Sequence, residues 1–156
     1  MAKYLTVFFI SMLPLVELRL AVPMAVGMGL PAIPSIVVCT LGNMLPVPFI
    51  YLFARGILTW GAEQKYIGKI CAQFLQKGER AGQKLVDKTG RYGLGVALML
   101  FVGIPLPGTG AWTGTLAASL LNMGPKTTAI SVSLGVVMAG ILMALASTGV
   151  FAVLGF

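Results

Sequence analysis

The stretch Pro14-Leu15-Val16-Glu17-Leu18-Arg19 interrupts apolar sequence that otherwise runs over 4–30, and Pro23 follows one turn later. If 4–30 crossed a bilayer as one straight helix, these prolines and charges would sit near mid-membrane, where each charge costs roughly 2.5–3.5 kcal/mol on an insertion scale. A re-entrant hairpin uses the same residues without that cost. A short helix enters, the chain turns inside protein, and a second short helix leaves on the side it entered. The second half repeats the pattern, with apolar 93–104 and 111–123 broken by Pro105-Leu106-Pro107-Gly108-Thr109-Gly110. Each apolar piece covers only about half of a hydrocarbon core roughly 30 Å thick.

Two other runs are long enough to span. Residues 33–53 carry Pro34, Pro46 and Pro48, which predict a kink, and 127–156 hold neither charge nor proline. At a shift of 91 positions Pro14-Leu15 falls on Pro105-Leu106 and Pro34 on Pro125, so each half reads as hairpin, proline, long helix.

Composition agrees with a membrane location. Of 156 residues, 58% are hydrophobic and 10% charged, too few charges to coat a water-soluble globule. Eight of the eleven basic residues and three of the four acids lie within 55–91. The positive-inside rule puts that segment in the cytoplasm and explains the net charge of +7 without nucleic acid as a partner. Lys77, Arg80, Lys84, Lys88 and Arg91 fall on one helical face, while Gly68, Gly78, Gly82 and Gly90 predict several short pieces rather than one rigid helix. The stripe reads either as an anchor for anionic lipid or as a solvated loop that sets orientation. With 55–91 inside, hairpin one opens outward and hairpin two inward, so the halves are inverted and their tips approach near the midplane, as in secondary transporters.

The expected fold is therefore an all-α integral membrane protein with two inverted-topology repeats. Each is a re-entrant helical hairpin plus a kinked or long transmembrane helix, and an amphipathic basic cytoplasmic segment joins them. The single membrane domain divides into hairpin one (1–31), a transmembrane helix (32–54), the basic segment (55–91), hairpin two (92–124) and a transmembrane helix (126–156). The expected location is the cell (inner or plasma) membrane, multi-pass. Glu17 and Arg19 fall where a signal peptide would need small neutral residues for cleavage, so the N-terminus reads as a retained segment.

The absence of His removes the commonest general base and metal ligand, and Cys39 and Cys71 are isolated. No nucleophile–base pair or metal cluster is visible outside the basic segment, so neither an enzyme nor a metal or cofactor is expected. Glu17 is the only carboxylate outside 55–91. Apolar burial favours its protonated form and a bound cation its charged form, which makes it the candidate for proton coupling and substrate binding. The structural alternative is an ion pair with Arg19. Arg19 offers a planar fork for phosphate or carboxylate. The Gly108-Thr109-Gly110 turn reads either as an anion cradle at a helix N-terminus or as a plain turn. Asn43 and Thr40 are candidates to line a cavity. Arg55 reads as an interfacial anchor or a substrate contact. Pro14, Pro23, Pro105 and Pro107 mark the hairpin tips.

The runs Leu13-Pro14-Leu15-Val16-Glu17-Leu18-Arg19-Leu20-Ala21-Val22-Pro23 and Gly103-Ile104-Pro105-Leu106-Pro107-Gly108-Thr109-Gly110-Ala111-Trp112-Thr113-Gly114 resemble the two signature stretches of the small multidrug export family. That family is distantly similar to the DedA and VTT-domain membrane proteins. The resemblance implies opposed re-entrant hairpins and a role in lipid-carrier translocation or proton-coupled export. Positions 105–114 depart from the DedA pattern in holding no charge.

Together these readings point to a small secondary transporter or lipid flippase, the expected substrates being an anionic lipid-phosphate head group or a lipophilic drug, with protons as the coupling ion. A homodimer is expected, because so short a chain leaves its tips poorly shielded. The alternative is a non-transporting scaffold that shapes the bilayer or recruits partners.

Overall fold

The structure, a computed structural model, describes residues 1–14, 16–64, 68–106 and 109–154. Among these residues every element is helical: α1 Ala2–Ser11, α2 Glu17–Gly27, α3 Ala32–Met44, α4 Val47–Ala62, α5 Gly68–Gly103, α6 Ala111–Leu120 and α7 Pro125–Leu154. Two stretches, Ala32–Ala62 and Pro125–Gly149, are long and apolar enough to cross a membrane. α1, α2 and α6 are short, as the half-length apolar runs predict.

The break between α3 and α4 follows from the prolines. Pro46 and Pro48 have no N–H to donate to Gly42 and Met44, so the ladder lapses at Leu45-Pro46 and resumes with Ile50 bonded to Pro46 O at 2.9 Å. α4 continues to Ala62, so Arg55 lies within the helix rather than at its end.

Packing is inverted relative to a soluble protein. The buried core consists mainly of small and β-branched side chains, among them Val7, Ala21, Val22, Ala25, Val102, Ala111, Ala118 and Val136. Large side chains such as Phe49 (64% exposed), Leu52 (69%) and Phe53 (68%) face outward. Lipid tails are as apolar as these side chains, so burying them gains little; cohesion comes from close approach of backbones over small residues. Glycines make the tightest crossings. A Cβ on Gly42 would collide with Ser11 Oγ and Phe8 O of α1, and one on Gly135 would lie 2.7 Å from Met99 O. α7 is the central strut, packed on α2, α3, α5 and α6.

The basic segment differs from expectation. It is continuous helix over 68–89 and breaks only at Gly90, whose φ of 71° and ψ of 169° are non-helical. Gly78 and Gly82 do not fragment this helix, because they are its contact points: a Cβ on either would overlap the backbone oxygen of Leu120 or Leu121 at the end of α6. What the glycines lose in helix propensity is offset by close packing.

Gly82→Ala is expected to cost about 1–3 kcal/mol, the range for forcing a methyl into a filled contact, read as a lower melting temperature in neutral detergent. Gly56→Ala on α4, where nothing lies within 4 Å of the added Cβ, should leave stability unchanged or slightly raised. Identical melting of the Gly82 variant and the wild type would refute the close contact at the end of α6.

Candidate functional site

Glu17 opens α2 in the left-handed region, φ 49°, with its N–H bonded to Leu13 O at 2.9 Å. A non-glycine residue holds such a conformation only where its surroundings impose it. Here they do. The side chain is buried, and its carboxylate accepts the N–H groups of Ala111 (3.3 Å to Oε2) and Trp112 (3.2 Å to Oε1), the first two residues of α6. The first N–H groups of a helix have no partner within it and carry the positive end of its dipole, so a carboxylate satisfies both needs.

Gly110, just before α6, makes the approach possible. It adopts φ 155° and ψ −174°, a conformation essentially reserved for glycine, and a Cβ there would overlap Glu17 Oε2.

Arg19, two residues beyond Glu17 and half-buried, holds the chain leading into α6. Its guanidinium donates to Leu106 O, to Ile104 O at 3.4 Å and to Thr109 Oγ1 at 2.6 Å. The Thr109 hydroxyl lies 2.9 Å from both Ile104 O and Leu106 O, so it donates to one of them while accepting from Arg19. The fork of Arg spans three acceptors that a lysine ammonium would not match. Both charges of the first tip thus grip the backbone of the second.

The Glu17–Arg19 ion pair considered from the sequence is not formed. Among the described residues the one ion pair is Arg55–Glu79, at 3.5 Å. The helix N-terminus beside Thr109 and Gly110 does hold an anion, and that anion is the protein's own carboxylate.

Other candidates lie elsewhere. Arg55 bonds Asn122 Oδ1, at the far end of α6 from Ala111, which separates it from the Glu17 carboxylate by the length of α6, about 15 Å for ten residues. Asn43 is 2% exposed, and its Oδ1, like Thr40 Oγ1 one turn earlier and Trp112 Nε1, is buried with no partner among the described residues. Pro23 sits inside α2, where its missing N–H leaves the Arg19 carbonyl without its helical donor. Pro14 and Pro105 are exposed at the two turns, while Pro107 and Gly108 lie outside the described residues. The sequence reading missed the partners of Glu17 and Arg19, because backbone N–H and C=O groups have no residue signature. The one usable signal was Gly110 directly ahead of an apolar helix.

Among the described residues, a helical bundle with two stretches long and apolar enough to cross a membrane and small residues inside points, with the family match, to a membrane protein. Residues 17–142 match the model of the putative small multi-drug export protein family, and the chain belongs to that family. The matched region begins at Glu17 and includes the whole clasp. No curated protein and no solved structure matches the chain.

Gly110→Ala is expected to destabilise the protein by about 2 kcal/mol or more through backbone strain and the clash with Glu17. In a Glu17→Ala background the same change should cost at least about 1 kcal/mol less, since contacting residues are coupled in double-mutant cycles. Strict additivity of the two substitutions in thermal melts would contradict the contact.

Proposed function

We propose that this protein is a small secondary transporter in which the Glu17 carboxylate alternates between the N-terminus of α6 and a bound proton or substrate. The observation that carries this reading is the clasp: the buried Glu17 carboxylate and the half-buried Arg19 guanidinium holding the backbone of the second tip. The family description, small multi-drug export, supports export of amphiphilic compounds.

The chemistry runs as follows. Charged Glu17 makes two charge-assisted hydrogen bonds to α6, each worth on the order of 1.5–3 kcal/mol. Proton uptake weakens both, frees two N–H donors at a helix N-terminus and loosens one tip from the other. Loss of the proton closes the clasp again. Coupled to rocking of the halves, this is alternating access about a midplane site. The tips act as re-entrant hairpins of inverted repeats. In support, at the 91-position shift Ala2–Ser11 falls on 93–102 within α5, and Ala32–Met44 on 123–135 at the start of α7. We place the basic segment on the cytoplasmic side of the cell membrane.

Two substrate classes fit. Freed N–H groups with Arg19 suit an anionic head group such as a lipid phosphate, which is the flippase reading. A carboxylate that exchanges a proton for its ligand suits a lipophilic cation, and a drug of that kind is compatible with the family description, small multi-drug export. Pro14, Pro105 and Leu106 are exposed at the two turns, which supports a homodimer whose second copy covers them. Crosslinking in lipid should trap this dimer; a strictly monomeric species with full flux would rule it out.

In proteoliposomes with a pH gradient, wild type should move a lipophilic cation or a labelled phosphate lipid, and Glu17→Gln should abolish the gradient-driven component. Flux by Glu17→Gln that kept its pH dependence would remove Glu17 as the proton carrier. Absence of flux for both probes in wild type would favour the scaffold reading. Labelling of single cysteines at 14–19 and 105–106 from each side should find the two tips accessible from opposite faces, and accessibility from one face only would end the inverted-repeat reading.

A further inference from the structure

At the far end of α6 from the clasp, a cavity of about 620 Å³ opens between α5 and the turn that joins α6 to α7. That is the size of a small-molecule site. Arg80, Gln83 and Arg91 line it from α5, Leu94 and Met123 form apolar walls, and Thr127 stands in the first turn of α7. Glu79 also reaches the cavity but is paired with Arg55 at 3.5 Å, so its charge is already compensated. Among the described residues neither Arg80 nor Arg91 is within ion-pair distance of a carboxylate. In the first turn of α7, Pro125 has no N–H and that of Thr128 bonds Gly124 O at 2.9 Å, so the N–H groups of Lys126 and Thr127 are the ones without helical acceptors beside the same wall.

The basic stripe read from the sequence therefore divides in two. Its arginines enter the cavity; Lys77, Lys84 and Lys88 are not among the residues that line it. Two guanidinium forks match the oxygens of a phosphate, and the leucine and methionine walls match the start of an acyl chain. We propose that this cavity is a binding site for a phosphate-bearing anionic lipid. It is separate from the Glu17 clasp and does not depend on the transport reading.

The test uses the full chain in neutral detergent at about 0.5 M salt, where the Debye length is about 4 Å and diffuse attraction to a basic surface is suppressed. Binding of a labelled phosphatidic acid is titrated for wild type, for R80A/R91A, and for K84A/K88A, which removes the same charge outside the cavity. Arg80, Lys84, Lys88 and Arg91 are all at the surface of the helix, and the two double variants should melt alike without lipid. The cavity variant should bind at least about tenfold more weakly, as expected for the loss of two charge-assisted contacts, and the control should change less than about threefold. Equal losses in the two double variants would overturn the site in favour of general surface charge. Displacement of the lipid by inorganic phosphate at the lipid's own concentration, or equal binding of a diacylglycerol without phosphate, would overturn the amphiphile assignment.

Discussion

A carboxylate buried among apolar helices needs donors, and the first turn of a buried helix needs acceptors. In this chain each need is met by the other. Glu17 accepts from Ala111 and Trp112, and several otherwise odd local features follow from that one junction. α2 starts in a left-handed conformation to aim the carboxylate, Gly110 forgoes a side chain to admit it, and α6 can begin abruptly at Ala111 with no capping side chain of its own. Arg19 closes the same junction on the loop side, where carbonyls rather than N–H groups are exposed. Separating the halves would leave a buried charge and several backbone groups unpaired, which is far costlier than losing surface contacts.

The rest of the bundle is held by proximity. With lipid outside, large apolar residues gain little from being inside, so the interior is given mainly to small and β-branched side chains, and helices approach closely at glycines. This explains why α7, apolar all round, packs against five other helices without a distinct apolar face. It also explains why so many glycines occur in helices. At Gly42, Gly78, Gly82 and Gly135 a side chain would meet a neighbouring backbone.

Much of the helical plan was legible in the sequence, because its signals are lengths and breaks. Half-length apolar runs end at Pro14 and Pro105, two prolines open a gap between α3 and α4, and 127–156 offers nothing to stop a helix. The basic segment was misread because Gly78 and Gly82 were weighed by propensity alone, when a tertiary contact determines their role. The importance of Glu17 and Arg19 could be inferred from the cost of charge in an apolar stretch. Their partners could not, since spacing of two suggests an ion pair and nothing in a side-chain pattern announces a backbone N–H 94 positions away. Arg55, read from the sequence as an interfacial anchor or a substrate contact, is held by Asn122 and Glu79 at the other end of α6 from the Glu17 carboxylate.

α6 is only ten residues long and is fastened at both ends, at Ala111 and Trp112 by Glu17 and beyond Leu120 by the close backbone contact with Gly82 and the Arg55–Asn122 bond. So short a helix offers little length in which to bend, and the charged junction and the arginine-lined cavity stand at its two ends. Any free energy that coupled the two through this helix would act equally in both directions.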